Sequence, residues 1–579
     1  MALTSALNMT LSGLMTTELK TMVSSQNITN ADKAGYTRKS VELQYITTTS
    51  GSVPVEGLIV GSGDSFLLKA LTGDVAEYSA KLSISNSLNY YSTQLGNTDG
   101  TNTLSSYLDD MYAALQSLAT SPETDANKAE VISMAEGLSN TLRSLSSQIQ
   151  DLRLQAEQQI GSQITEANAI LDRLDELNDK IAGNPNNDSS LAEYEDQRNQ
   201  ELLNLSALMG VQYFYTDGNI LQLYTSNGQP LLLSDPHYIN HTVTNSVNGS
   251  TTYPAGFDAI DLDGVDITTR ITGGSLEGLI TLRDSFYTDE QAKLNELASV
   301  LQTQVNTLLN TGASVPPRNT MVGSLDALTG ATAFTGTGSI RVAVLDQNGT
   351  VTNYSDISLV GMTTVSDVLT SLNGVAGLTA TLTADGKLSI VTAPTTSGVA
   401  INPLTSAVTS SSSESFAQYF GLNDLFIGTS AEDIQVSSYL VSAPQYLSVG
   451  VLSSSATLAA GDTGVNRGDG SIADSVADIL VGNSSFAAAG DFAAQSTSLQ
   501  HYVQAFMSNA ATQATISEGE TETSYITYKA SQDVLSSKSG VNVDEETAKM
   551  LIYQNQYEAS AQVMSTIQEM LNTLMDAMR

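Results

Sequence analysis

The segment from Gly540 to Arg579 constrains the fold more than any other stretch of the chain. Met550, Tyr553, Tyr557, Ser560, Met564, Ile567, Leu571, Leu574 and Met578 advance by three and four residues in strict alternation, which sets them along one stripe of a helix. Ser560 is the single polar member. Asn542 stands at the expected cap with Glu545 three residues on, and no Pro or Gly follows before the chain end. A helix with such a stripe must bury it against a second apolar surface. Residues 2 to 24 offer one, since Leu7, Leu11, Leu14, Met15, Leu19 and Met22 form a helical stripe of the same Leu/Met character. The first fifty residues are mildly basic and the last forty acidic, which favours pairing of the two ends as a coiled coil. The competing expectation is that each stripe packs on its own neighbouring domain.

At 579 residues the chain exceeds a single core, and length alone predicts roughly three or four domains. The net charge of −38, from 61 acidic and 23 basic residues, disfavours bare nucleic acid and anionic membrane surfaces as partners. With 0 Cys there is neither disulfide nor thiol chemistry. The N-terminus lacks a basic start and its apolar residues are interrupted by Thr4, Ser5, Asn8 and Thr10, so no cleaved signal peptide is expected. No apolar run reaches the roughly 18 residues of a membrane span.

Taken in order, the pattern predicts a multidomain α+β chain. Ser105 to Ile181 is helical with a break near Thr120 to Glu123. Leu138, Leu142, Leu145, Ile149, Leu152 and Ala156 hold a heptad, and Ile160, Ile164, Ala167, Leu171, Leu174 and Ile181 resume it after a stutter, as in a long bundle helix. Gly183-Asn184-Pro185 stops this helix, and Leu191, Tyr194, Arg198, Leu202 and Leu205 start a returning one. At Val211 the period changes to two, with turns at Asp217-Gly218 and Asn227-Gly228. Gly274 to Asp284 and the leucines up to Leu308 return to helix. After Pro316-Pro317 a Thr/Gly/Ser-rich stretch reads as a small ββαββ insert, with Thr364 and Asp367 capping its helix. Ile427 to Gly461 reads as returning strands, and Ile472 to Leu480 and Thr497 to Ser537 as helices. The expected units are a terminal coiled coil (1–50 with 540–579), a helical bundle (51–210 with 471–539), a mainly-β domain (211–316 with 426–470, including helix 276–310) and the insert (317–425). Each is nested inside the one before.

Candidate chemistry is sparse. His237 and His241 lie four apart beside Pro236, with no third ligand near in sequence, and are expected to be surface or loop residues. Asp258, Asp261, Asp263 and Gly264 mimic a calcium loop, but the register puts Ala259 first and Arg270 twelfth, where carboxylates are required. Arg467-Gly468-Asp469 reads as a turn. No phosphate loop or nucleophile elbow appears. Neither an enzyme nor a cofactor site is expected. The Met-rich tail reads as packing surface in an assembly.

Two motifs point to a family. Asn27-Ile28-Thr29-Asn30, a spacer, then Gly35-Tyr36-Thr37-Arg38 resembles the N-terminal signature of the axial proteins of the bacterial flagellum, the rod, hook and hook-associated proteins. Ser539-Gly540-Val541-Asn542-Val543-Asp544-Glu545-Glu546, followed by Tyr553 to Ala561, is similar to the tail of that family and favours its hook–filament junction branch over hook and rod subunits. Gly274-Ser275-Leu276-Glu277-Gly278 and the insert also resemble that branch. The resemblance implies a structural subunit that joins hook to filament. It would be exported by the type III route without a cleaved signal and touch hook protein, an adjacent hook-associated protein, lateral copies of itself and an export chaperone. The assembly residues it nominates are Leu7, Leu11, Leu14, Leu19, Met22, Asn27, Asn30, Gly35, Tyr36, Arg38, Tyr553, Tyr557, Met564, Ile567, Leu571 and Leu574. The alternatives are another axial subunit such as hook protein, or a secreted adhesin that binds through the insert. One apolar stripe is thin support for a terminal helix, so both ends should be largely disordered in the free monomer. Amide exchange on a verified monomer should therefore find weak protection over 550–578, and strong protection there would refute the expectation.

Overall fold

A computed structural model describes residues 2–577 apart from 34, 49–50, 97–99, 102 and 184–188, so Asn184, Pro185 and Met578 lie outside the described residues. Helix accounts for 54% and sheet for 17% of the chain, and long helices set its frame. Helix α1 (Ala2–Thr29) is followed by an antiparallel hairpin of β1 (Lys39–Thr48) and β2 (Gly51–Gly61). The sequence reading missed this hairpin, although Val41-Glu42-Leu43-Gln44 and Val53-Pro54-Val55-Glu56 alternate as strands do. Four helices come next: α2 (Ser65–Leu95), α3 (Leu104–Thr120), α4 (Asp125–Ala182) and α5 (Ser189–Leu208).

The length of α4 follows from its sequence. Every member of the two heptad runs, from Leu138 to Ile181, is buried, so the stutter shifts the stripe without ending it. Gly183 caps the helix. On the far half of α4 a core forms with α5 and with strands β3 (Val211–Thr216), β4 (Ile220–Thr225) and β5 (Pro230–Leu232), which pair in that order as one antiparallel sheet. The near half packs with α3 and with the later helix α7 (Tyr287–Leu309). Helix α6 (Gly274–Thr281) leads into α7 through a single wide turn over Leu282–Phe286, which shifts the helical register before α7 begins.

The insert has its own core. Two three-stranded sheets flank α8 (Val365–Asn373), whose Thr364–Asp367 capping box forms as expected from sequence. The strands at 320–322 and 397–402 extend the ββαββ reading, because each pairs with a predicted hairpin from a distance no local pattern registers. The rings of Phe334, Phe416 and Phe420 close this core, the latter two from α9 (Phe416–Phe420).

Beyond the insert the expected strands over 427–461 are largely absent. The chain there forms one two-residue pair (426–427 with 435–436), α10 (Ser438–Ser442) and loops, several of which cover the insert sheet at Leu345 and Val351. Burial against a preformed sheet, rather than new strand pairing, satisfies their apolar residues. Lys128 in α4 is buried and donates to the carbonyls of Val315 (3.0 Å) and Gln445 (3.1 Å), pinning the chain on both sides of the insert to the bundle.

Helix α11 (Ser471–Val481), a hairpin over 483–498, α12 (Leu499–Ser539) and α13 (Val543–Ala577) complete the chain. Helix α12 lies antiparallel on α2, with Lys81 2.7 Å from Glu520 and Tyr78 stacked on Tyr528. Helix α13 lies antiparallel on α1, with the Lys20 ammonium 5.8 Å from the Tyr553 ring. Leu171 on α4 is fully buried, so Leu171→Ala should cost about 2–5 kcal/mol in urea unfolding followed by helix circular dichroism. Glu518→Ala on the exposed face of α12 should change stability by less than about 0.5 kcal/mol.

Candidate functional site

The two chain ends meet at a polar joint. Helix α1 carries Asn27 in its last turn, fully buried beside the first strand. Its amide oxygen accepts from Lys39 N (2.9 Å) and from the Tyr36 hydroxyl (2.9 Å). Its amide nitrogen donates to Lys39 O (2.9 Å) and to Glu546 Oε2 (3.1 Å). Only a carboxamide can both give and take in this way, and Asp in its place would lose both donors.

Gly35 makes the turn between helix and strand possible. It holds a φ of +76°, and a Cβ there would stand 2.7 Å from Gln200 Oε1. The turn delivers Tyr36, Thr37, Arg38 and Lys39 onto α5 and the α12–α13 junction. Thr37 donates to Asp196 from its backbone (3.2 Å) and its hydroxyl (2.5 Å), and the Lys39 ammonium pairs with the same carboxylate. Arg38 N donates to Ser539 O (2.7 Å), and Arg38 Nε donates to Glu546 Oε1 (2.9 Å).

Glu546 is the centre of the joint, with 2% of its surface exposed. Burial pushes its carboxyl up, but hydrogen bonds from Lys549, Asn27, Ser24 and Arg38 outweigh burial and hold it down at about 2. The Tyr36 hydroxyl moves the other way, pushed up to about 12 by burial and by the carboxylates of Asp196, Glu193 and Glu546. Helix α13 is launched beside this centre. Asn542 Oδ1 accepts from Asp544 N (3.0 Å) and Glu545 N (3.2 Å), satisfying the free amides of the first turn.

The nominated residues divide into three groups. Asn27, Gly35, Tyr36 and Arg38 build the joint, and Tyr36 spends its hydroxyl inside the chain rather than on a partner surface. Asn30 does not reach Glu546, since its amide bonds back to Gln26 O (2.9 Å). Along the helices, Leu7, Leu14, Leu19, Tyr553, Met564 and Leu571 are half-buried and Ile567 is buried, whereas Leu11, Met22, Tyr557 and Leu574 are exposed. A second apolar face also stands in solvent: Met15 (65% exposed), Leu551, Ile552, Val563, Met570 and Met575. Sequence reasoning missed Asp196, Lys39 and the pairing role of Glu546, which it quoted only as the last residue of the Ser539–Glu546 tail motif. No local spacing links residues so far apart.

The remaining candidates have structural uses. His237 contacts Asp263. His241 lies in a loop, as expected, but its side chain is buried 3.1 Å from Glu157, a carboxylate that also pairs with Arg283. Asp261 accepts from Gly264 N (2.9 Å) in a tight turn, and Asp469 accepts from Val451 N (2.9 Å) and Ser471 N (3.0 Å). Among the described residues, no three His, Cys, Asp or Glu side chains gather as metal ligands, and no helix is long and apolar enough to cross a membrane.

Comparison with known proteins finds similarity to flagellar proteins. Residues 93–324 match the family profile of the flagellar hook-associated protein FlgK helical domain, and residues 533–577 match that of the flagellar basal body rod FlgEFG protein C-terminal region. Flagellar hook-associated protein 1 of Salmonella typhimurium is 25% identical over 599 aligned positions, covering 99% of this chain and 100% of the relative. The Escherichia coli K12 protein of the same name is 25% identical over 331 positions, covering 53% of this chain and 57% of its own length. The flagellar hook junction protein FlgK of Burkholderia pseudomallei, a solved structure, aligns with a TM-score of 0.47 at 16% identity, covering 82% of this chain and 100% of that one.

The charge state of the joint sets its pH response. The Glu546 carboxyl lies below its ordinary 4.5, so its contribution is complete above about pH 4.5 and is lost as pH falls toward 2. Glu546→Gln should remove that dependence and weaken α1–α13 pairing by about 1–3 kcal/mol, read from helix circular dichroism against pH.

Proposed function

We infer from the two family matches and the full-length relative that this chain is a structural subunit of the bacterial flagellum, of the hook-associated protein 1 kind, acting at the hook–filament junction. It is a structural protein and not an enzyme. The observation that carries the reading is the joint itself. Residues from opposite ends of the chain share one buried carboxylate, and the helices so paired keep an apolar face exposed.

The mechanism follows from that geometry. With α1 and α13 joined at Glu546, each subunit would present to its neighbours in the assembly an edge bearing Met15, Leu551, Ile552 and Met570. Neighbouring copies would bury it, and the pair would then complete a coiled coil at the base of the assembly. The helical bundle (51–210 with 471–539) forms the next layer in this reading. The segment 211–316 with 426–470 and the insert (317–425) would project outward. Hook protein on one side, an adjacent hook-associated protein on the other and lateral copies of the chain are the proposed partners. An export chaperone would shield the tail, and passage through the flagellar type III route would need no cleaved signal.

Deleting residues 560–579 tests the reading. Incorporation at the junction should fail, while the bundle and the insert keep their circular dichroism and protease resistance. Normal filament growth with the truncated chain would refute the junction role.

A further inference from the structure

A second charged cluster lies far from the joint, where α7 meets α12. Lys293 on α7 is 1% exposed, and Glu290, one turn earlier, is fully buried. The Lys293 ammonium contacts the Glu290 carboxylate, lies 2.8 Å from Asp491 Oδ1 and donates to Asn509 Oδ1 at 3.0 Å. Asn509 belongs to α12, and its amide nitrogen donates to Asp491 Oδ2 at 3.3 Å. The Tyr91 hydroxyl donates to the other oxygen of Glu290 at 2.9 Å. The Phe492 ring, 4.8 Å from Lys293 Nζ, helps to screen the amine from water.

An amine, a carboxamide beside it and a buried carboxylate touching the amine are the groups a self-forming amide cross-link requires. We propose that Lys293 Nζ and Asn509 Cγ join in an intramolecular isopeptide bond, with Glu290 moving the protons. Glu290 takes a proton from the Lys293 ammonium, and the freed amine attacks Asn509 Cγ. The tetrahedral carbon then breaks its bond to the amide nitrogen, which takes up the proton from Glu290 and the one shed by Lys293. It departs as ammonium past Asp491. One ammonium and one carboxamide thus become one secondary amide and one ammonium ion, with charge conserved and no oxidant or reductant involved. Burial raises the Glu290 carboxyl above its ordinary value, more than Lys293 and Tyr91 lower it, which suits a group that must accept a proton and return it. Helix packing supplies the alignment that makes attack on so unreactive a carbon feasible. The bond would close a covalent loop around the insert and tie α7 to α12 in a chain with 0 Cys available for disulfides.

Mass spectrometry of the folded full-length protein tests this. The intact mass should fall short of the sequence mass by one ammonia, and protease digestion should release a branched peptide joining the Lys293 and Asn509 segments. Glu290→Gln and Lys293→Arg should both restore the full mass in protein that still folds by circular dichroism. Asn509→Asp should lose one water instead. A folded natural chain of full mass, with the Lys293 and Asn509 peptides recovered separately, would overturn the proposal. So would simple deamidation at Asn509, or ammonia loss that persists in Glu290→Gln.

Discussion

Glu546 is a carboxylate shut away from solvent, and groups on the opposite end of the chain help keep it charged. Burying an ion without partners costs several kcal/mol, so its site is worth forming only when Asn27 and Arg38 arrive together with its own neighbour Lys549. That requirement ties three events into one. Helix α1 must end at Asn27, the Gly35 turn must bring Arg38 back, and α13 must start at Asn542. The joint therefore fixes one register of α1 against α13, where apolar packing along the helices alone would tolerate a shift of one turn.

The same logic recurs in the bundle. Glu157 is enclosed with Arg283 and His241, and Glu290 with Lys293 and Tyr91, each set bridging segments far apart in the chain. Apolar stripes on long helices specify a face but leave the axial register loose. A buried charge with a single complementary site settles the register, since displacement would strand it. Lys128 does this at the roots of the insert with carbonyl oxygens in place of a carboxylate.

Helix α13 leaves its core incomplete within the single chain. Its stripe faces α1, yet Leu551, Ile552, Val563, Met570 and Met575 remain in solvent. A monomer rarely keeps so long an apolar edge without using it. Methionine suits such an edge, since its unbranched chain adapts to whatever packs against it.

Periodicity made much of the fold legible from sequence. Helices α3, α4, α11, α12 and α13, the hairpin of β3 and β4 and the capped helix α8 are all written in local spacing, because an amphipathic element carries its period within itself. The two terminal stripes likewise nominated the two ends as partners, and α1 does pack on α13. Tertiary structure alone decided which groups meet. The pairing of Glu546 with Arg38, the capture of Lys39 by Asp196 and the return of strand 397–402 to strand 339–346 join residues by geometry, and contact between distant segments leaves no period in a sequence. The β1–β2 hairpin and the loops over 427–461 fall between. Their patterns are visible, but they are satisfied by surfaces that exist only after the rest of the chain has packed.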